Sequence, residues 1–231
     1  MRKKEAADKH LQAVSEVSKA ITSDLYLEDI LRLIVTVTAE VMNSKICSIL
    51  LLDEETKELV IRATQSVSEA YNKKPNMKLG EGIAGRVAAG KKPVIVPDVK
   101  TEKNYLNRDI AVSEGLTSLL SVPMTVKSKV IGVLNVYTSR HHAFTQKEIA
   151  TMSSVANQAA IAIENAQLLV KTKVIEEELK ARKLIEKAKA ILIKEYSLSE
   201  DDAYKRIQKR SMDSRKTMKE IAEAIILAKN I

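Results

Sequence analysis

The 231-residue chain has little of several residue types, and each shortage disfavours a class of function. Its single cysteine excludes a disulfide framework and a zinc site of the CxxC kind. Aromatic residues make up only 3%, with one Phe and no Trp, so the core must be aliphatic and base stacking on aromatic platforms is disfavoured. Three histidines leave little room for a metal centre, and we expect neither a metal nor a cofactor.

Long apolar runs are also missing. No stretch reaches the ~18 uncharged apolar residues that suggest a transmembrane helix. The N-terminal Met1-Arg2-Lys3-Lys4 leads into mixed sequence without the apolar core of a signal peptide. We therefore expect a cytoplasmic protein with no membrane partner. No nucleophile–base pair or acid cluster stands out on one element, so we also expect that it is not an enzyme.

Glycine and proline are confined to the first part of the chain. All six Gly and all four Pro lie at or before Gly132, and the last 99 residues contain neither. Because these residues form turns and interrupt helices, the N-terminal part is predicted to contain strands and the C-terminal part to be helical. Apolar spacing predicts N-terminal helices over residues 5–22 and 26–43, and two hairpins of one antiparallel sheet over residues 45–64 and 117–137.

One long helix is predicted from Thr145 to beyond residue 190. Thr145 and Glu148 have the spacing of a capping box at its start. Its first half would cover the sheet, whereas its second half has no sheet left to cover. Since ~45 residues of helix measure ~70 Å, we expect the second half to pair with a second copy as a coiled coil, giving a homodimer. The alternative is a helix that folds back on its own domain.

The end of this helix and the chain after it are predicted to form a small three-helix unit with a basic character. The pattern breaks near Tyr196, and further helices are predicted from about residue 200 and around Met218. The 66 residues from Ala166 onward carry 16 basic and 11 acidic side chains, which is five of the eight net positive charges. A solvated helical face explains most charge runs, but clustered cations on three helices suit a phosphate backbone.

Six short segments of the N-terminal part have a recognisable order. They are Ser48–Asp53, Gly82–Ala88, Pro93–Asp98, Ser118–Met124, Val130–Asn135 and Phe144–Thr145. In this order they resemble the GAF domain, over about residues 10–166. The resemblance implies a sensor for a small molecule or cofactor that often dimerises through flanking helices. The predicted fold class is α+β: a GAF-like antiparallel sheet with flanking helices, then a long connecting helix that leads into an all-α three-helix domain.

The sequence argues against several specialised GAF chemistries. Members that bind cyclic nucleotides need an acid where Lys147 stands. Bilin-binding members need a thioether cysteine, whereas Cys47 lies in an apolar strand and packs as a small hydrophobic residue. Sulfoxide reductases of this family need several cysteines. The Gly80-x-Gly82-x-x-Gly85 spacing does not follow a βαβ strand, so we reject a dinucleotide site.

A generic pocket for an unknown small molecule is still predicted in the GAF-like part. It would lie between the sheet and the loops over residues 65–80 and 97–117. The candidate lining residues are Val96, Asp98, Tyr105, Leu119 and Ser121. The alternative interpretation is that these five are ordinary core and turn residues.

Four segments near the C-terminus carry a second resemblance. They are Leu184–Leu192, Leu198–Tyr204, Ser211–Arg215 and Ile221–Ile225. Together they resemble the ANTAR domain, which implies binding of a short RNA hairpin, often one of a tandem pair met by a protein dimer, and transcription antitermination. Ala190 departs from the family, which commonly has Gly there. The predicted division is a sensor domain over residues 1–166, a helical linker over 167–180 and an RNA-binding domain over 181–231.

The candidate RNA-binding residues follow from this resemblance and from their chemistry. Ala188 and Ala190 lack bulk, so a loop base can lie against them, and Lys189 can hydrogen-bond a base edge or a phosphate. Tyr204 can stack on a base, although packing between the helices is the favoured interpretation. The cations expected to neutralise phosphates are Lys183, Lys187, Arg206, Arg210, Arg215 and Lys216.

The sequence therefore predicts a signal-responsive, RNA-binding regulator of transcription antitermination. The alternative is a small-molecule sensor whose C-terminal helices dock a protein partner rather than RNA.

Overall fold

A computed structural model describes residues 27–229, so the helix predicted over residues 5–22 lies outside the described residues. The chain divides into two compact units between Gln167 and Leu168, and each unit is described by itself. Within residues 27–229, no helix has both the length and the apolar character that crossing a membrane requires.

The first unit is built around one antiparallel sheet of six strands. In chain order its elements are α1 (Leu27–Val41), β1 (Ile46–Leu52), β2 (Glu58–Thr64), α2 (Glu69–Asn72), β3 (Met77–Lys78), α3 (Gly82–Gly90), β4 (Val94–Val96), α4 (Arg108–Ser113), β5 (Leu119–Val126), β6 (Lys129–Tyr137) and the first part of α5 (Gln146–Tyr196). The strand order is β3-β2-β1-β6-β5-β4. Both predicted hairpins and the single antiparallel sheet are confirmed. The short elements α2 and β3 were not predicted.

Both faces of the central strands are covered, which explains their continuous apolar sequence. Along β1, Cys47 and Ile49 pack into a core formed with α1 and the first part of α5. Ile46 and Leu50 point to the opposite face and pack into a second core, which includes residues of α3. Cys47 is fully buried, and this burial raises the pKa of its thiol.

The glycines at the start of α3 are required by the local backbone conformation and by close packing. Gly80 and Gly82 have φ values of +84° and +59°, the left-handed region that favours glycine. A Cβ on Gly85 would lie 2.3 Å from the carbonyl oxygen of Lys78, so only glycine lets α3 approach β3 this closely. The spacing therefore reflects local packing and does not indicate a dinucleotide site.

Replacing Gly85 by Ala should destabilise the first unit by about 2 kcal/mol or more, because helix α3 must move away from the backbone of β3. The measurement is urea unfolding followed by circular dichroism. Gly90→Ala is the matched control, since a Cβ there meets nothing within 4 Å and Gly90 ends the same helix. Equal stability of the two variants would contradict the packing argument.

Capping residues set the start of α5 and of the helices that follow. The Thr145 hydroxyl accepts from the Glu148 N–H at 3.3 Å, and the Glu148 carboxylate accepts from the Thr145 N–H at 2.7 Å, which confirms the predicted capping box. Helix α5 ends at Tyr196, where Ser197 takes a left-handed φ of +52°. The break near residue 196 is therefore also confirmed, and it needs neither Gly nor Pro.

The second unit combines the last part of α5 with α6 (Glu200–Ser214) and α7 (Met218–Lys229). Ser199 caps α6 by accepting from the Asp202 N–H at 3.1 Å. The three helices share a small core of aliphatic side chains, namely Ala188, Leu192, Ala203, Ile207, Ile221 and Ala222. The predicted all-α three-helix arrangement is confirmed.

Candidate functional site

The second unit has a basic surface, defined here as the six cations that were predicted to contact phosphates. All six are exposed: Lys183, Lys187, Arg206, Arg210, Arg215 and Lys216. Within residues 27–229, none of them forms an ion pair with a carboxylate. Other lysines of this unit are paired, since Lys180 and Lys219 both contact Glu177. The cations of the basic surface are therefore not held by carboxylates and can contact a polyanion.

A groove with an aromatic wall lies beside part of this basic surface. The Arg206 guanidinium carbon lies 4.6 Å from the ring centroid of Tyr196, which is 55% exposed at the end of α5. Leu192 and Ile221 contribute apolar lining, and Arg210 also borders the space. We call this the Tyr196 groove. A cation over an exposed ring offers both a charge and a flat apolar surface.

Sequence analysis missed Tyr196. It stands at the residue where the helical pattern breaks, and only the packing of α6 brings Arg206 over its ring. The only signal in the sequence for this role was that Tyr196 stands at a helix end and precedes a helix that contains arginines.

The small and aromatic residues predicted to contact RNA are placed differently from one another. Ala188 is fully buried in the three-helix core, so it is not available to a loop base in this conformation. Ala190 is exposed. Tyr204 is 43% exposed and lies outside the buried three-helix core, so part of its ring is open to solvent.

Lys189 is the predicted contact whose surroundings differ most from expectation. It is only 8% exposed, and its ammonium lies 2.7 Å from a Glu200 oxygen and 3.1 Å from both Glu186 oxygens. These contacts use all three of its N–H donors and join α5 to α6. The Glu200 carboxylate, and then Glu186, raises the pKa of Lys189, while Lys189 lowers the pKa of Glu200. In this conformation, Lys189 is bound to carboxylates and does not face solvent.

Lys189→Met should lower the Tm of the second unit, because it removes the link between α5 and α6 and leaves two carboxylates without their shared cation. Lys187→Met is the matched control, since Lys187 is exposed and unpaired on the same helix. Differential scanning calorimetry of the full chain measures the change. In the parent protein, the stability that the Lys189–Glu200 ion pair contributes should also be lost as the pH falls through the lowered pKa of Glu200. Equal Tm values for the two variants would exclude this structural role.

The first unit contains a small cavity on the sheet face opposite α1. Three buried tyrosines from different segments surround it, with Tyr71 and Tyr137 edge to face at 6.2 Å between ring centroids and Tyr105 and Tyr137 at 6.4 Å. The Tyr105 hydroxyl donates to the Tyr137 hydroxyl at 3.5 Å, and the Tyr71 hydroxyl lies 3.1 Å from the Ser48 hydroxyl. Burial raises the pKa of all three phenols, so they stay neutral at physiological pH.

The structure retains only part of the predicted pocket. Tyr105 and Leu119 line the cavity. Val96 is a core residue on the same sheet face, and Ser121 is buried in the sheet, but neither lines the cavity. Asp98 belongs to a turn, where its carboxylate accepts from the Lys100 N–H at 2.9 Å.

Other residues that line the cavity were not predicted, among them Tyr71, Lys74, Asn135 and Tyr137. The first two come from the segment over residues 65–80 that was expected to cover a pocket. Their lining role could not be predicted from the sequence, because it depends on how that segment pairs with the sheet.

The comparisons with known proteins agree with both units. The GAF domain family matches residues 25–164, and the ANTAR domain family matches residues 174–226. The sheet and its helices are also similar to the GAF domain of a phosphoenolpyruvate-protein phosphotransferase from Coxiella burnetii, with a TM-score of 0.64 and 24% identity over 71% of this chain and 98% of that chain. The first unit has the fold of a GAF sensor module. The chain belongs to the GAF domain family and carries an ANTAR domain after it.

Curated relatives are similar to parts of the chain. A methyl sulfide methyltransferase-associated sensor of Methanosarcina acetivorans is 28% identical over 70% of this chain and 17% of its own length. The transcriptional regulatory protein PdtaR of Mycobacterium tuberculosis is 29% identical over 58% of this chain and 54% of its own length. A Nif-specific regulatory protein of Azospirillum lipoferum is 30% identical over 54% of this chain and 20% of its own length. The chain thus spans about half or less of these relatives.

Proposed function

We propose that the chain is a signal-responsive regulator of transcription antitermination. In this proposal the ANTAR domain binds short RNA hairpins, and the GAF domain serves as a sensor and dimerisation module. The observation that carries it is the coincidence of the ANTAR match over residues 174–226 with the unpaired basic surface. The names of two relatives, a transcriptional and a Nif-specific regulatory protein, support a regulatory role.

The basic surface provides the phosphate contacts in this proposal. Lys183 and Lys187 lie four residues apart on α5, and Arg206 and Arg210 lie four residues apart on α6, so each pair lies on one face of its helix. A spacing of one helical turn suits neighbouring phosphates, and the arginines can bind them bidentately. Arg215 and Lys216 follow the end of α6 and extend the set.

Recognition of the loop bases needs flat or small surfaces next to these cations. The Tyr196 groove offers an exposed ring beside Arg206 and Arg210, and Tyr204 offers a second exposed ring on α6. Ala190 leaves space on α5. Stacking on a ring is worth about 1–3 kcal/mol per base, so even a chain with few aromatics can bind a loop base firmly.

Dimerisation would use the part of α5 that follows the first unit. Over residues 168–179 its exposed apolar side chains are Leu168, Leu169, Val170, Val174, Ile175 and Leu179. Leu168, Thr172, Ile175 and Leu179 are separated by four, three and four residues, which is the spacing of a coiled-coil seam. We call these four positions the seam. A parallel pair would present two ANTAR domains to one transcript, which suits a tandem pair of hairpins.

The test is a selection with the full chain from an RNA library that contains two hairpins with randomised loops. We expect enrichment of particular loops and tighter filter binding of the enriched RNA than of the same RNA with scrambled loops, across a salt series. Absence of enrichment, or equal binding of the scrambled RNA, would overturn the proposal. Protein capture without RNA binding would favour the alternative in which the C-terminal helices dock a partner protein.

A further inference from the structure

Lys74 places an ionisable amino group at the cavity of the first unit. Its ammonium lies 3.4 Å from the ring centroid of Tyr71 and 5.6 Å from that of Tyr137. The side chain is half-buried, and it forms no ion pair within residues 27–229. No Asp or Glu is found among the described residues that line the cavity. Glu114 favours the charged form of Lys74 from a distance, but no carboxylate among the described residues contacts its ammonium.

A row of buried polar side chains crosses the sheet beneath this cation. Ser48 on β1 and Ser121 on β5 are both register partners of Asn135 on β6, and all three are at most 3% exposed. The Ser48 hydroxyl bonds to Tyr71, but the side-chain oxygens of Asn135 and Ser121 have no partner among the described residues. Asn135 lines the cavity. Buried polar atoms are normally hydrogen-bonded, and leaving one unpaired costs about 1–3 kcal/mol.

These two observations specify complementary groups on a ligand. A carboxylate would supply the contact ion pair that Lys74 lacks, and a hydroxyl would donate to the unpaired oxygen of Asn135. The cavity walls also include Leu50, Ile83 and Leu119, which suit a short hydrocarbon segment. Burial lowers the pKa of Lys74 to about 7, and a bound anion would favour the charged form of its side chain.

We propose that this cavity binds a small monocarboxylate that also carries a hydroxyl group, with Lys74 binding the carboxylate and Asn135 accepting from the hydroxyl. The proposal rests on the sensor role given to the GAF domain above, and it names the chemical class of the signal.

The size of the cavity limits the ligand. The enclosed space is about 20 Å³, which is room for about one water molecule. An acid must therefore displace the Lys74 side chain from the face of Tyr71, which the four flexible carbons of lysine allow. Leu106 also borders the cavity and is 54% exposed, so it can move without disrupting the core. These limits favour acids of two or three carbons, such as glycolate and lactate.

The experiment is calorimetric titration of the full chain with glycolate, lactate, propionate and lactamide. Lactate carries both groups, propionate lacks the hydroxyl, and lactamide lacks the charge. We expect glycolate or lactate to bind, with lactamide weaker than lactate by about tenfold or more and propionate weaker by about two- to tenfold, since a hydrogen bond to a charged group is worth more than a neutral one. Failure of both hydroxy acids to bind, or equal binding of lactate and lactamide, would overturn the proposal.

Two lysine variants test whether Lys74 supplies the charge that binds the carboxylate. Lys74→Met should weaken lactate binding by about tenfold or more. Lys73→Met is the matched control, because Lys73 is the neighbouring lysine, is exposed and pairs with Glu69 outside the cavity. Equal binding by the two variants would overturn the role of Lys74. If Lys74→Met does not fold, the comparison of lactate with lactamide on the parent chain still tests the charge.

RNA binding by the same preparation is measured in parallel. A chain that binds selected RNA but neither hydroxy acid overturns this inference alone. A chain that binds lactate but no RNA overturns the antitermination proposal and leaves the cavity assignment standing.

Discussion

The double variant Arg206→Ala with Arg210→Ala should bind the selected hairpin RNA about a hundredfold more weakly than the parent chain. Both arginines are exposed and unpaired, and they border the Tyr196 groove. A hydrogen bond to a charged group contributes about 1.5–3 kcal/mol, so losing two gives at least this factor. Filter binding at one fixed salt concentration measures the change.

The matched control removes two cations that already have carboxylate partners. Lys180 contacts Glu177, and Lys229 contacts Glu195 at 3.8 Å, so Lys180→Ala with Lys229→Ala changes the net charge equally within the same unit. We expect this control to lose less than about threefold in affinity, the effect of a general change in charge. A loss as large as that of the arginine variant would mean that binding follows net charge and not the basic surface.

The salt dependence separates phosphate contacts from loss of structure. Each phosphate contact contributes about one unit to the slope of log affinity against log salt concentration. The arginine double variant should therefore have a slope smaller by about two units, with an unchanged helical circular dichroism spectrum. An unchanged slope with weaker binding would place these arginines away from the phosphates.

Much of the fold could be predicted because local signals determine it. The confinement of Gly and Pro to the part ending at Gly132 separates the sheet from the helical region, and short aliphatic and β-branched runs around turns place both hairpins. The element β3 escaped prediction because it has only two residues, Met77 and Lys78, and exists through pairing with β2. The helix α2 is a single turn capped by Ser68 and has no periodicity to recognise.

The environment of a candidate site residue could be predicted only where the chemistry of that single side chain determines it. The exposed cations of the basic surface follow from their charge, because isolated charges remain in water. Lys189 did not follow this rule, since Glu200 reaches it from α6 across a turn and no spacing on α5 reveals that contact. The cavity depends on tertiary structure in the same way: Tyr71, Tyr105 and Tyr137 come from three separate segments and meet only after the sheet has formed.

The double variant Leu168→Glu with Ile175→Glu should convert a dimer into a monomer. Both side chains belong to the seam, and they are 53% and 63% exposed in the single chain. Burying an aliphatic side chain contributes about 1.5–3 kcal/mol, and each dimer would lose four of them and gain four carboxylates at the interface. Light scattering after size-exclusion chromatography should show a fall from twice the chain mass to 25.6 kDa.

Val170→Glu with Val174→Glu is the matched control for this variant. These valines are exposed on the same stretch of α5, but their places in the heptad lie on the side away from the seam. The control should remain a dimer. A monomeric control beside a dimeric Leu168/Ile175 variant would move the interface to the other side of the helix, and monomers for the parent chain itself would contradict self-pairing.

Loss of the dimer should weaken binding selectively. In a dimer, binding of the first hairpin of a tandem RNA holds the second close to the other ANTAR domain, so the second contact becomes intramolecular and raises affinity by about 10²–10⁴. The Leu168/Ile175 variant should lose this gain on tandem RNA and bind a single hairpin as the parent chain does. The arginine variant should instead weaken both RNAs, because its defect lies within each ANTAR domain. Equal losses on single and tandem RNA by the seam variant would show that α5 does not couple two RNA-binding units.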